Sequence, residues 1–152
     1  MVDPAIQFGS EHVALTDCPI EPAWILEGTP MARRHVLSNS ADGSSGMIFW
    51  DCTAGHFHWH YPFDESVYFL EGAVTIKDQA GIWRSLESGD TAFFPAGSSA
   101  EWRVDRYIRK VAFCRVPMPR GVHLAKRAYR GLKRLVRLGN RTATPRSLFE
   151  AV

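Results

Sequence analysis

The chain has 152 residues, enough for one ordinary domain and too few to close two separate hydrophobic cores. Its 45% hydrophobic and 22% charged residues are the balance of a globular protein and exclude a disordered or fibrous one. Charge is uneven, because residues 1–120 hold 10 basic and 15 acidic side chains whereas residues 121–152 hold 8 basic and 1 acidic. We therefore expect a globular domain over residues 1–120 and a basic extension with a separate role over residues 121–152.

Cysteine usage and the start of the chain indicate a reduced, cytoplasmic setting. The cysteines are Cys18, Cys52 and Cys114, an odd number without a C-x-x-C pair, which argues against a disulfide framework or a zinc knuckle. The segment "MVDPAIQFGSEH" has neither the basic start nor the apolar stretch of a signal peptide. No apolar run is long enough to cross a bilayer. We expect free thiols in a cytoplasmic protein.

The predicted elements begin with residues 1–46, which are rich in Pro, Gly, Ser and Asp and carry one short apolar piece, "AWIL". This composition predicts a mostly irregular arm with one or two short strands. Strand-like segments then follow one another, separated by turns of Gly, Asp and Pro: "MIFWDCT", "HFHWHY", "SVYFLE", "AVTIKD", "IWRSL", "TAFF", "AEWRV" and "YIRKVAFCRV". Because no helical pattern intervenes, we predict an all-β antiparallel sandwich or small barrel.

The basic extension has a different period. In "VHLAKRAYRGLKRLVRLGN" apolar residues recur at spacings of three and four, with lysines and arginines on the other faces, which predicts an amphipathic helix. Such a helix can bind an anionic membrane surface, contact nucleic-acid phosphates, or pack its apolar stripe on the domain. We favour packing, because charge runs usually mark a solvated face. No nucleic-acid motif supports the second use, so no nucleic-acid partner is expected, and membrane contact stays open.

Three alternating histidines are the most informative feature of the sequence. Side chains two residues apart share one face of a strand, so His56, His58 and His60 are expected on one face and the intervening aromatic residues on the other. If the histidine face lines the interior, "YPFD" turns the chain and brings Glu65 beside it. Imidazoles and a carboxylate suit a divalent transition metal such as Fe, Mn, Zn, Ni or Cu, with open positions left for water or substrate.

These residues also carry a family resemblance. The run His58-x-His60, four residues, Glu65, six residues, Gly72 resembles the first motif of the cupin superfamily, and "SGDTAFFPAGSSAEW" resembles the second. The similarity covers residues 24–116 and is closest to the cupins that include (S)-ureidoglycine aminohydrolase and the ethanolamine-utilisation EutQ-like proteins. It implies an antiparallel RmlC-like jelly-roll β-barrel, with metal ligands at the two histidines and the glutamate and a fourth histidine from the second motif.

The second motif departs from this pattern, because Ala100 stands where the fourth ligand is expected. The remaining set of His58, His60 and Glu65 resembles a two-histidine, one-carboxylate triad that can still hold a metal. His56 is a candidate for the missing ligand, or for a pocket base that hydrogen-bonds the ligands. The alternative is a hydrogen-bonded polar pocket without metal, and the presence of all three ligands leads us to favour the metal.

Aromatic residues near the motifs suggest a pocket wall and an interface. Trp102 lies two residues after Ala100 and is expected on the same inward face, either as core or as a ring that stacks on substrate. Phe57 and Trp59 are expected outward. Since a contiguous aromatic patch is rarely left in water, we expect the N-terminal arm or a second subunit to cover them, the latter in a homodimer.

Other reactive side chains are less informative. Cys52 precedes the histidine strand, but a free cysteine is more often a small buried hydrophobe than a nucleophile. Lys110, Arg103 and Arg109 are candidates to hold a substrate carboxylate, although alternation alone does not tell which of them points inward.

Two functional hypotheses follow. The first is a metal-dependent enzyme for a small polar metabolite, in which the metal polarises a carbonyl or carboxylate, or activates water or dioxygen, and His56 shuttles protons. By resemblance, hydrolysis or deamination of a ureido or amino compound is a possible reaction, although the ureidoglycine aminohydrolases carry two cupin domains and this chain one. The second is a non-catalytic metabolite-binding or sensory cupin without bound metal.

Overall fold

The computed structural model describes residues 6–117 and the single positions Gly121 and Tyr129. The chain divides into two compact units, Met1–Pro117 and Met118–Val152, and all the β-strands of the described residues belong to the first. The predicted C-terminal amphipathic helix lies outside the described residues, apart from those two positions. In the part of the chain that is described, no helix has the length and apolar character needed to cross a membrane.

The described residues form eight β-strands, and every pair of neighbours is antiparallel, which confirms the all-β antiparallel prediction. A short 3-10 turn at Pro22–Trp24 leads into the second strand. The strands are β1 (Thr16–Asp17), β2 (Ile25–Glu27), β3 (Ala32–Asn39), β4 (Ser45–His60), β5 (Asp64–Lys77), β6 (Trp83–Glu87), β7 (Thr91–Phe94) and β8 (Ser99–Arg115).

The three long strands form the centre of one sheet with the order β1-β3-β4-β8-β5-β6. Strand β8 lies between β4 and β5 along most of its length, while β2 pairs with the second half of β4 and β7 with the first half of β5. The hydrophobic core lies on one face of this sheet, which we call the inner face, and we call the opposite face the outer face.

A register shift in β4 decides which side chains reach the core. The pairing of β4 with β8 slips between Thr53 and Gly55. Before the slip the core residues are Trp50 and Cys52, and after it the next core residue is Phe57, five positions on. Because alternation has a period of two, an odd step means that the inward set changes from even-numbered to odd-numbered residues.

A second irregularity bends β5 at Gly72. Phe69 lies in the core before it and Val74 after it, again an odd step. Gly72 has φ of 78°, and a Cβ at this position would overlap the carbonyl oxygen of Tyr107 on β8. A residue without a side chain is therefore needed where the two strands approach.

The N-terminal arm is less irregular than predicted. Residues 32–39 form the eight-residue strand β3, which pairs with β4 from Ala32 opposite Cys52 to Asn39 opposite Gly46. Its sequence "ARRHVLSN" shows little apolar alternation because most of its side chains are solvated or partly exposed. Backbone pairing with β4, rather than a buried face of its own, keeps this segment extended.

Candidate functional site

The structure places the histidine strand with its aromatic face inward, so the predicted orientation is wrong. Phe57 is 0% exposed in the core and Trp59 packs against it, whereas His58 and His60 are exposed on the outer face. The register shift in β4 makes this orientation possible. It is favoured because burying two large rings removes far more apolar area from water than burying two imidazoles.

The three predicted metal ligands are not brought together. Glu65 is buried on the inner face beside the core, while His58 and His60 lie on the opposite face of the sheet. Among the residues that the structure describes, no group of three His, Cys, Asp or Glu side chains is placed to hold a metal ion. The residues present therefore do not fit the metal that the cupin resemblance implies.

Glu65 is instead paired with a lysine. Lys110 Nζ on β8 donates a hydrogen bond to Glu65 Oε1 on β5, and each side chain is only 4% exposed. The ammonium also lies over two indole rings, 5.0 Å from the centroid of Trp50 and 4.9 Å from that of Trp102. Of the three cationic residues considered from the sequence, Lys110 is thus the one that points inward. Its charge is balanced by one carboxylate and two π-faces.

Aromatic rings surround this ion pair. The Trp102 indole Nε1 donates a 3.0 Å hydrogen bond to the Tyr61 hydroxyl oxygen, and Tyr61 stacks on Phe94 with 4.4 Å between ring centroids. Trp50 is buried, and its indole Nε1 has no hydrogen-bond partner among the described residues. We call the Lys110–Glu65 pair with Trp50, Tyr61 and Trp102 the inner site.

The predicted inward placement of Trp102 and Ala100 is confirmed, since both belong to the buried core. Their role as a substrate wall stays a prediction. Trp102 contacts the rings of Trp50 and Phe57, with centroids 6.0 and 6.2 Å away, so it is at least a central packing residue.

Burial sets the protonation of the neighbouring groups. Desolvation, reinforced by the charge of Glu65, raises the pKa of Tyr61 well above its ordinary value, so the phenol keeps its proton. Burial likewise raises the pKa of Cys52 to about 12 and that of Cys114 to about 11. A thiol at Cys52 is therefore protonated near neutral pH, and the residue is a small buried hydrophobe rather than a nucleophile.

His56 lies on the outer face, where it is separated from Glu65 by the sheet. Its Nε2 is 2.6 Å from Glu101 Oε1, and Lys77 Nζ pairs with the other oxygen of Glu101. The hydrogen bond from Lys77, and then that from His56, lowers the pKa of Glu101. His56 therefore has no contact with the inner site, and its predicted service to an interior metal is not supported by this geometry.

A second buried carboxylate, which sequence reasoning missed, stabilises the outer face. Asp51 accepts two hydrogen bonds from Arg33, at 3.0 and 2.6 Å, and one of 2.9 Å from the Tyr107 hydroxyl. Arg33 lies directly opposite Asp51 in the register of β3 and β4. All three groups are satisfied by one another, which indicates a structural cross-link rather than a reactive site.

Comparison with known proteins agrees with this architecture. Residues 39–112 match the family model of the EutQ-like cupin domain. A DUF861-family protein of unknown function from Pseudomonas syringae pv. tomato is similar at 22% identity and a TM-score of 0.64, over 69% of this chain and 46% of that one. The comparison with curated proteins finds no significant match.

Two further structures share the fold at low identity. The EutQ protein of Clostridium difficile is 22% identical, with a TM-score of 0.50 over 57% of this chain and 64% of that one. The polyketide cyclase RemF of Streptomyces resistomycificus is 15% identical, with a TM-score of 0.56 over 75% and 82%. The chain spans about half of the P. syringae protein and less than two thirds of the C. difficile EutQ.

Residues 39–112, which include most of the antiparallel sheet and the Lys110–Glu65 pair, are therefore similar to the EutQ-like cupin domain. This similarity concerns the fold, while the chemistry depends on the residues found on the inner face.

Proposed function

We propose that this protein is a metabolite-binding cupin whose inner site works without a metal ion, through Lys110 and Glu65. The observation that carries the proposal is their ion pair, buried at 4% exposure in a shell of rings. A buried ion pair adds little stability over well-packed apolar residues, because desolvation of both charges offsets their attraction. Buried charges in a small core are therefore candidates for binding rather than for folding.

The donors at the inner site indicate the ligand chemistry. Lys110 has three N–H donors and uses one on Glu65, and Trp50 Nε1 has no partner within the described part of the chain. A buried donor without an acceptor costs free energy that a ligand oxygen recovers. These donors suit a small molecule with a carboxylate or carbonyl oxygen, and the surrounding aromatic rings suit an apolar or planar remainder.

The metal-dependent enzyme is the weaker of the two sequence-based hypotheses. It requires His58 and His60 beside Glu65, whereas both imidazoles are on the outer face and Lys110 already pairs with the carboxylate. An ammonium in contact with the carboxylate competes directly with any cation for the same oxygens. We therefore derive no catalytic step through a metal.

Elemental analysis together with ligand-induced stabilisation tests the proposal. Protein purified without a nickel column is expected to hold far less than one metal ion per chain. A panel of small carboxylates and carbonyl compounds, including acetate, pyruvate, glycolate and benzoate, is expected to contain a member that raises the melting temperature. That rise is expected to disappear in Lys110→Met and to shrink in Trp50→Phe, while His58→Ala retains it.

Two results contradict the proposal. One is a stoichiometric metal that is lost in His58→Ala or His60→Ala, which restores the metal-dependent hypothesis. The other is a stabilising ligand that acts equally on the wild type and on Lys110→Met, which removes the inner site from binding. The folding of each variant is checked by circular dichroism, so that loss of binding is not confused with loss of structure.

A further inference from the structure

A separate groove of about 300 Å³ lies on the outer face beside His56. Three of its lining residues lie on neighbouring strands, because Glu27 on β2 pairs with His56 on β4 just after a register shift in β2, and His56 pairs with Arg103 on β8. Directly paired residues point to the same face of a sheet and lie about 5 Å apart at Cβ. The row thus places a carboxylate and a guanidinium on either side of one imidazole.

The charges of the groove are of both signs. Glu27 and Asp105 supply carboxylates and Arg103 a guanidinium. Within the part of the chain that the structure describes, none of these three has an ion-pair partner, whereas other charged residues of the sheet, such as Asp51 and Lys77, do. Arg103 rests on a ring instead, with its guanidinium carbon 5.1 Å from the centroid of Trp83.

The His56 ring is held in a fixed orientation at the wall of this groove. Glu101 binds its Nε2, and Lys77 in turn holds Glu101. When Nε2 carries the proton and donates it to Glu101, Nδ1 is the acceptor of the neutral ring. The imidazole is thereby prepared to accept a hydrogen bond from a cationic N–H group.

Two glycines form part of the wall of the groove. Gly28 and Gly55 line it, and a Cβ on Gly28, where φ is 81°, would stand 3.4 Å from the Gly55 Cα. A Cβ on Gly55 would stand 2.6 Å from a side-chain carbon of Pro30. The segment that follows β2 therefore lies close to β4 and leaves no room for larger side chains at these two positions. The groove itself, at about 300 Å³, suits a small molecule.

We propose that this outer groove binds a small zwitterion, such as an amino acid with an unbranched carbon chain. Arg103 takes the carboxylate, and Glu27 and Asp105 take the ammonium, with His56 as an additional acceptor. A simple anion is disfavoured by the two carboxylates, and a simple amine leaves Arg103 without its partner. The groove and the inner site lie on opposite faces of the sheet, so this proposal does not depend on the function proposed for Lys110 and Glu65.

Calorimetric titration of the full chain tests the groove with probes that differ in charge. Glycine, β-alanine and 4-aminobutyrate carry both charges, while propionate and propylamine carry one each. At least one zwitterion is expected to bind at least about 10-fold more tightly than either single-charge probe, a difference that calorimetry resolves readily. Arg103→Met and Glu27→Gln are each expected to weaken that binding about 10-fold or more.

Arg106→Met is the matched control, because Arg106 is an exposed arginine of the same strand that does not line the groove. It is expected to leave zwitterion binding unchanged. The proposal is overturned if no zwitterion binds, if propionate or propylamine binds equally well, or if Arg103→Met binds like the wild type. Thermal unfolding of each variant separates a lost ligand contact from a lost fold.

Discussion

Phe57 stacks on Trp102 inside the sheet, with ring centroids 6.2 Å apart and planes 14° from parallel. In the sequence Phe57 stands between two histidines, and each of those imidazoles points the other way. The stacking therefore fixes the orientation of the histidine strand and places His58 and His60 on the outer face.

Adjacent alanine substitutions test this orientation. Phe57→Ala removes a fully buried ring and is expected to lower the free energy of unfolding by about 3–5 kcal/mol. His58→Ala, the neighbouring change on the exposed face, is expected to alter it by less than about 0.5 kcal/mol. Urea unfolding followed by tryptophan fluorescence measures both, and a larger loss for His58→Ala contradicts the orientation.

The Lys110–Glu65 pair makes a prediction about coupling. Lys110→Met leaves a buried carboxylate unpaired and is expected to cost about 3–5 kcal/mol, whereas Lys110→Met combined with Glu65→Leu is expected to cost much less than the two single changes together. The exposed pair Arg115–Asp64 provides the comparison, since Arg115→Met is expected to cost less than about 1 kcal/mol. Additive losses at the inner pair in chemical unfolding would contradict the assignment of a buried charge pair.

The close approach of β5 and β8 is tested at Gly72. Gly72→Ala forces an alanine to a φ of 78° and pushes its methyl group into the Tyr107 carbonyl. Gly81→Ala has nearly the same φ, 80°, but meets nothing within 4 Å. We expect about 1–2 kcal/mol of destabilisation at Gly81 from the backbone alone, and clearly more at Gly72. Equal losses in melting experiments would mean that the strands separate freely at this point.

The buried thiols predict a pH dependence. Because burial raises the pKa of Cys52 to about 12 and of Cys114 to about 11, both are protonated in the folded protein at pH 8. The contribution of these two thiols to the stability of the fold is therefore fully present below pH 9 and is lost progressively as the pH rises from 9 towards 11, because the thiols ionise first in the unfolded chain. We expect slow reaction of Cys52 with a disulfide reagent at pH 8, and reaction of all three cysteines in urea. Rapid native labelling of Cys52 would contradict its burial.

We also expect a homodimer, through a different surface from the one that the sequence suggests. Phe57 and Trp59 are not outward and need no cover, but Phe93 and Phe113 are 61% and 53% exposed on the outer face and both are in register with Ser66. The nearby Asp64–Arg115 pair supplies both signs of charge, so this patch is compatible with pairing to a second copy of itself. Sedimentation is expected to give a dimer that Phe93→Ser with Phe113→Ser dissociates. Ile82→Ser, at a similarly exposed residue, is the control, and a wild-type monomer would refute the interface.

Much of the fold was predictable because its strands end at recognisable turns. Gly81, Gly89 and Gly97 all have positive φ, and each lies in a turn predicted from the sequence. One or two short strands were predicted in residues 1–46, but the position and eight-residue length of β3 were not, because pairing with β4 rather than apolar alternation keeps it extended. Alternation is informative only where a strand has one buried and one solvated face.

The candidate site was less predictable than the fold, because one extra residue at a β-bulge moves every later side chain of the strand to the opposite face of the sheet. The bulge between Thr53 and Gly55 has no signature in the sequence other than Gly55 itself. The alternation of histidines and aromatic residues after it shows that the two sets lie on opposite faces, but it does not show which set points to the core. Lys110 was among three possible inward cations, and only the register of β8 distinguishes it from Arg109.

The position of β8 has a consequence for synthesis on the ribosome. It is the last strand of this sheet to be translated, yet β4 and β5 both pair with it along most of their length. Until it emerges, those two strands each present an unpaired ladder edge, and Trp102 and Lys110 are absent from the interior. Nascent chains that stop before Ser99 therefore expose two unpaired strand edges, and we expect the sheet to fold cooperatively only after the segment up to Arg115 has left the exit tunnel.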